Sequence, residues 1–133
     1  MNSIADALWL RLHAILKIFA DRLAATNPRL VSDLGRTANE AFLLRGYLAL
    51  RRHVADDEIA ITIDVQSNGQ QLTLESDICT NEGAMIATGP SAVIPLAGGQ
   101  VSVDAGLHNW LREFEQFLQE NERAVASAVS KMT

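Results

Sequence analysis

The sequence predicts an α+β fold in which helices cover one face of an antiparallel sheet, and three observations support this. The N-terminal segment has apolar residues at helical spacing, the middle of the chain alternates apolar and polar residues, and the C-terminal segment returns to helical spacing. We expect two layers, with N-terminal helices and a long C-terminal helix packed on one face of an antiparallel meander of three to five strands. At 133 residues, the chain is expected to form a single α+β domain over residues 1–133.

Composition is typical of a folded globular protein and excludes several classes. The chain is 48% hydrophobic and 20% charged, unlike disordered proteins, which have low hydropathy and high charge. Its one cysteine, Cys79, allows neither an intrachain disulfide nor a multi-cysteine zinc site. The N-terminal segment lacks a basic n-region, and charged residues interrupt its apolar stretch, so we expect neither a signal peptide nor a membrane span. The expected location is cytoplasmic.

The net charge of −5 is divided unevenly along the chain. Residues 1–55 carry eight Lys/Arg and four acids, whereas the remaining residues carry three Lys/Arg and twelve acids. Proteins that bind DNA or RNA usually have a dense basic stripe or stacking aromatic residues, and only 5% of this chain is aromatic. We therefore expect no nucleic-acid partner.

The first predicted helix covers about residues 3–26. Its apolar residues fall at helical spacing, at Leu8, Leu12, Ile15, Leu16, Phe19 and Leu23. Because its polar strip is narrow, the helix must be covered on more than one side, either by other helices of the same domain or by a second copy of the chain. The second option predicts a homodimer through the apolar face of this helix.

The segment after the first helix is predicted to form a second one. Asn27 and Pro28 are typical of a helix N-cap and first turn. Gly35 weakens the interior, and Thr37 to Glu40 match a capping box, so the main helix is expected over 37–53. The apolar run at 42–48 leaves a buried strand open as the alternative, because short apolar runs are ambiguous.

The middle of the chain predicts a β-hairpin. Apolar residues alternate with polar ones from Ile59 to Val65 and again from Leu72 to Ile78, on either side of Asn68-Gly69. A two-residue turn there pairs Val65 with Leu72 and Ile59 with Ile78, so that the apolar residues share one face. The opposite face is polar along its length, which places all helices on the apolar side.

Two further turns and a final helix are expected after the hairpin. A three-residue loop at 81–83, with Gly83 in the left-handed region, brings Ile86 opposite Ile78 as part of a third strand. A turn at Gly98-Gly99 joins strands over 92–96 and 100–103 in a last hairpin. Asp104 then serves as the N-cap of a helix over 105–131.

The sequence contains no motif for catalysis, a metal or a cofactor. Its histidines are not spaced as paired metal ligands, its glycines match no phosphate-binding loop, and no serine lies in a nucleophile elbow. Cys79 and His108 could react only if the fold joined them, and Cys79 is expected beside Glu75 and Asp77, whose charges raise a thiol's pKa. The sequence therefore favours a non-catalytic protein without cofactor or metal.

The first functional hypothesis is a protein-interaction module with an acidic sheet face. Asp64, Glu75 and Asp77 are expected on the polar face of the hairpin, and Glu82 lies in the next turn. Such a patch would attract and select a basic partner protein, although a solvated face without function has the same composition.

The second hypothesis is a small-molecule binding protein or cofactor-free enzyme with a pocket between the helices and the sheet. Ser76 is expected to point inward among apolar side chains and could mark such a pocket. Its alternative role is a hydroxyl satisfied by the backbone.

Overall fold

The computed structural model describes residues 2–39, 41–52 and 57–132, and within these the chain forms two helices and six strands. In chain order they are α1 (Asn2–Thr26), β1 (Leu30–Thr37), β2 (Leu44–Arg52), β3 (Ile59–Ser67), β4 (Gln71–Thr80), β5 (Met85–Thr88), β6 (Ala92–Pro95) and α2 (Gln100–Ser130). Neither helix is both long enough and apolar enough to cross a membrane.

The strands form one antiparallel sheet in the order β1-β2-β3-β4, with β5 and β6 both paired along the outer side of β4. β6 pairs with the first half of β4, and β5 pairs with the second half. Between them, Gly89 N donates to Ser76 O at 3.0 Å. The predicted fold class, an antiparallel sheet with helices on one face, is confirmed.

The hydrophobic core lies between the sheet and both helices. Fully buried side chains come from alternate positions of the three central strands: Leu44, Leu48, Leu50, Ile59, Ile61, Ile63, Val65, Leu72, Leu74 and Ile78. The two helices pack side by side and run in the same direction, because Arg11 contacts His108 at 3.1 Å and Arg22 contacts Glu122 at 2.8 Å. Each helix therefore covers part of the other as well as part of the sheet.

The helix predicted across residues 27–53 is wrong wherever the chain is described, because β1 and β2 form a hairpin there. Asn27 ends α1 instead of starting a new helix: its Nδ2 donates to Leu23 O at 3.2 Å, and its carbonyl accepts from Leu30 N at 3.0 Å. The alternative, a buried strand within 42–48, is confirmed from Leu44 onward. Glu40 and residues 53–56 lie outside the described residues.

Both glycines of this segment have a packing role in the sheet. A Cβ atom at Gly46 would lie 2.8 Å from the ring of Trp9 on α1, and one at Gly35 would lie 2.5 Å from the hydroxyl of Tyr47. The absence of a side chain therefore lets an aromatic ring lie directly on each strand. Glycine at these positions indicates that a helix there would be weak, but the sequence does not predict the aromatic rings that pack against them.

The central hairpin has the predicted faces but a register shifted by two residues. Ile61 pairs with Ile78, and Val65 pairs with Leu74. A two-residue type I′ turn needs positive φ at both central residues, and no described residue other than glycine has it. Asn68 instead accepts the amides of Gln70 and Gln71 through its side-chain oxygen, at 2.9 and 3.0 Å, which makes a longer loop. Because the shift is even, every side chain keeps its face.

The later turns differ from the prediction in two places. Gly83 has the expected left-handed backbone, but a register shift after Ile78 places Ala87, not Ile86, opposite it. The hairpin predicted at Gly98-Gly99 is wrong, since residues 100–103 form the first turn of α2. Gly99, with φ of 85°, is the N-cap of that helix in place of Asp104.

The close packing at Gly89 yields a stability prediction. A methyl group there would overlap Ser76 Oγ and lie 2.8 Å from the Phe117 ring. We expect Gly89→Ala to lower the free energy of unfolding by about 1–3 kcal/mol, because overpacking displaces both neighbours. Urea unfolding measures the change, with Ser91→Ala at an exposed neighbour as the control. Equal stability of the two variants would contradict this packing.

Candidate functional site

The sheet has one face that both helices leave uncovered, which we call the open face. It carries the side chains that alternate with the core positions, namely Asp33 and Gly35 on β1, Arg45, Tyr47, Ala49 and Arg51 on β2, Ala60, Thr62 and Asp64 on β3, and Thr73, Glu75, Asp77 and Cys79 on β4. Ile61 and Ile63 are fully buried, whereas their neighbours Thr62 and Asp64 are only half-buried. The sheet is thus amphipathic across its thickness.

The shifted register changes which polar side chains face each other. Asp64 lies directly opposite Glu75, and Thr62 lies opposite Asp77. Thr62 Oγ1 donates to Asp77 Oδ1 at 2.7 Å, so this carboxylate has a neutral partner. Two carboxylates opposite each other repel, and a nearby cation is needed to offset the cost.

Arg45 on β2 supplies that cation to Asp64. Its Nε lies 2.9 Å from Asp64 Oδ1, while its guanidinium lies over the Phe42 ring, 4.6 Å from the centroid. The N–H is not aligned for a hydrogen bond, since the buried Asp64 Oδ1 has no hydrogen-bond partner, so the contact is an ion pair alone. Glu75 has neither an ion pair nor a hydrogen bond to any residue that the structure describes.

Arg51 compensates a second group of acids on the same face. It contacts the carboxylate of Asp33 on β1, and its Nη1 lies 3.9 Å from Glu58. The open face is therefore divided: charges on β1 and β2 are paired, whereas Glu75 and Asp77 on β4 face no cation within the described ranges. Sequence reasoning missed both arginines on this face because it assigned their segment to a helix.

The structure places three of the four predicted acidic residues, Asp64, Glu75 and Asp77, on neighbouring positions of the open face. Glu82 is exposed in the turn between β4 and β5, where it lines a depression together with Glu58 and Lys131. Asp64 lies among the sheet residues, but its charge is compensated by Arg45. Glu75 and Asp77 are the two that remain side by side without a cation.

Two exposed apolar side chains flank this pair on the outer strands. Val93 on β6 pairs with Thr73, and Met85 on β5 pairs with Cys79, so both belong to the open face. Val93 is 58% exposed and Met85 is 55% exposed. We call Glu75, Asp77, Met85 and Val93 the docking patch. Sequence reasoning missed the two apolar members because their faces depend on pairing with β4, which the alternation alone does not give.

Ser76 points inward, as predicted, and its hydroxyl is satisfied by the backbone. Its Oγ donates to Pro90 O at 2.9 Å, and Trp110 Nε1 donates to the same carbonyl at 3.0 Å. Gly89 and Phe117 fill the space beside it. The hypothesis of a pocket between helices and sheet gains no support at this position.

Cys79 and His108 lie in different layers of the fold. Cys79 is on the open face, whereas His108 is on α2, where its Nδ1 contacts Arg11. Burial raises the pKa of the Cys79 thiol, and the charge of Asp77 raises it further, so the carboxylate effect expected from the sequence is the smaller of the two causes. Within residues 2–39, 41–52 and 57–132, no group of three His, Cys, Asp or Glu side chains could hold a metal ion.

Comparisons with protein families, with curated proteins and with solved structures found no match to this chain.

The pKa of Cys79 yields a prediction about its reactivity. Replacing Asp77 by Asn removes the charge that raises this pKa, so a larger fraction of the thiol is ionised near neutral pH. We expect iodoacetamide, a neutral reagent, to alkylate Asp77→Asn a few times faster than the native protein, with the difference vanishing at strongly alkaline pH.

Mass spectrometry measures the alkylation rate, and Glu120→Gln on the exposed side of α2 serves as the charge-matched control. Equal rates for Asp77→Asn and the native protein near neutral pH would show that Asp77 does not act on the thiol.

Proposed function

We propose that this chain is a non-catalytic interaction module that binds a basic partner protein through the docking patch. The observation that carries the proposal is the composition of this patch. Two neighbouring carboxylates without a facing cation lie beside two exposed apolar side chains, on the sheet face that the helices do not cover.

The two kinds of side chain would have different roles in binding. Glu75 and Asp77 attract lysine and arginine side chains, which raises the association rate and selects against acidic proteins. Met85 and Val93 supply apolar area that loses water on contact, and methionine adapts its shape to different partners. A patch of charge alone would remain hydrated and bind weakly.

The arginines on β2 would restrict where on the open face a basic partner binds. A basic segment is attracted toward the unpaired carboxylates of β4, whereas the acids beside β2 are already paired with Arg45 and Arg51 and attract it less. Unequal attraction by neighbouring surfaces restricts how a partner can bind. The proposed partner therefore lies along β4, β5 and β6.

A homodimer and a cytoplasmic location stay predictions within this proposal. Leu10 and Ile18 on α1 are 74% and 62% exposed and support a contact there. The rest of the apolar stripe of α1 packs against its own sheet and α2, so the helix has less need of a second copy than its sequence indicates. The single cysteine remains the support for a reducing compartment.

A charge-reversal experiment tests the proposed function. Tagged native protein, Glu75→Lys and the matched control Glu113→Lys, on the outward side of α2, are used to capture partners from native extract. We expect a basic protein that the native chain and Glu113→Lys retain and that Glu75→Lys loses. With purified partner, Glu75→Lys should weaken binding by roughly tenfold, and more at low salt than at high salt.

Circular dichroism checks that both variants keep the fold. Loss of the partner with Glu113→Lys as well as Glu75→Lys would indicate non-specific charge attraction. Retention by Glu75→Lys would place the binding surface elsewhere on the molecule.

A further inference from the structure

β1 is the edge of the sheet, and no described residue pairs with its outer side. All eight of its residues, Leu30–Thr37, pair with β2 without a register shift, and none is proline. A long, regular edge strand of this kind exposes a row of backbone donors and acceptors to any other strand.

The opposite edge of the sheet is protected against such pairing. β5 and β6 are only four residues each, and a register shift occurs where β5 meets β4. Pro90 interrupts the edge between them, and Pro95 ends β6. Proline, short strands and irregular register are common devices that prevent pairing between sheets. The fold thus protects one edge and leaves the other available.

The hydrogen bonds of the sheet fix which groups of β1 point outward. Ser76 O accepts from Gly89 N, so the backbone N–H and C=O of Ser76 point toward the outer edge of β4. The backbone N–H and C=O groups of successive residues point to alternate sides of a strand. In an antiparallel pair, the backbone groups of two opposite residues point either toward each other or away from each other. The registers of β4 with β3, β3 with β2 and β2 with β1 extend this alternation to the other edge. There, the backbone N–H and C=O groups of Ser32, Leu34 and Arg36 point away from β2.

The charged residues of β1 do not shield this edge. Asp33 contacts Arg51 on β2, and Arg36 Nη2 lies 2.9 Å from Asp6 Oδ1 on α1. Both charges are therefore held by partners within the chain. Leu34 is half-buried against the core, so apolar surface reaches the edge as well.

We propose that β1 pairs antiparallel with β1 of a second copy, with Leu34 opposite its own counterpart across a twofold axis. Two symmetric registers pair seven residues of one β1 with seven of the other and keep the core-facing side chains of both strands on the same side. The one centred on Asp33 would oppose two aspartates, which is unfavourable. The register centred on Leu34 places Ser32 opposite Arg36 and Asp33 opposite Gly35, so no like charges face each other.

A second copy suits this edge because the same strand supplies both halves of the contact. The two half-buried Leu34 side chains would meet and extend the core across the axis. The two sheets would become continuous, with both open faces on the same side. The dimer would then present two docking patches to one partner surface, and this consequence alone depends on the proposed function.

Sedimentation velocity over a range of concentrations tests the dimer and its register with variants at one exposed residue. Native protein is expected to shift from 14.5 kDa to twice that mass as concentration rises. Ser32→Lys places a cation opposite Arg36 at both symmetric positions and should raise the dimer dissociation constant on the order of tenfold. Ser32→Glu places an anion there and should leave the dimer as tight as the native one or tighter.

Leu10→Lys on the exposed side of α1 serves as the control for a dimer formed by helices. A native protein that stays monomeric at high micromolar concentration overturns the proposal. A dimer that responds equally to both Ser32 variants, or that only Leu10→Lys weakens, overturns it as well. None of these measurements requires the proposed partner protein.

Discussion

The fold depends on the burial of one face of the sheet beneath two parallel helices. Ile61, Ile63 and Leu74 are completely buried there, and each fully buried side chain of this size contributes about 1.5–3 kcal/mol. Because side chains alternate along a strand, committing this face to the core commits every second residue to the other face. The same constraint that builds the core therefore determines which side chains the open face can present.

The electrostatics of the open face follow from the order of the strands. β2 brings Arg45 and Arg51 next to acids on its neighbours, and these pairs leave little net charge on that half. Neither Glu75 nor Asp77 on β4 has an ion pair with a described residue, and β4 lies beside two short outer strands without charged residues. Unpaired negative charge and exposed apolar surface therefore meet at one side of the sheet, whereas the available strand edge lies at the other.

The sequence predicts the parts of this structure that depend on the periodicity of apolar residues. It does not predict the parts that depend on contacts with a neighbouring strand or an aromatic ring. Alternation from Ile59 to Ile78 gives the faces of the hairpin and the outward direction of Glu75, because an even register shift does not change them. Alternation did not predict β1 and β2, because the glycines in these strands are explained only by their packing against the rings of Trp9 and Tyr47. Without β2, the ion pair that removes Asp64 from the acidic patch could not be foreseen.

One face of the sheet is open, and the helices close the other. Glu75 and Ser76 are consecutive in β4 and point to opposite faces, so they provide the most direct comparison. In a Cys79→Ser background, thiol labelling of Glu75→Cys and Ser76→Cys is measured in the folded protein. The account predicts labelling of Glu75→Cys close to that of an unfolded chain and strong protection of Ser76→Cys. Protection of both thiols would contradict it, because some other element or copy would then cover the open face.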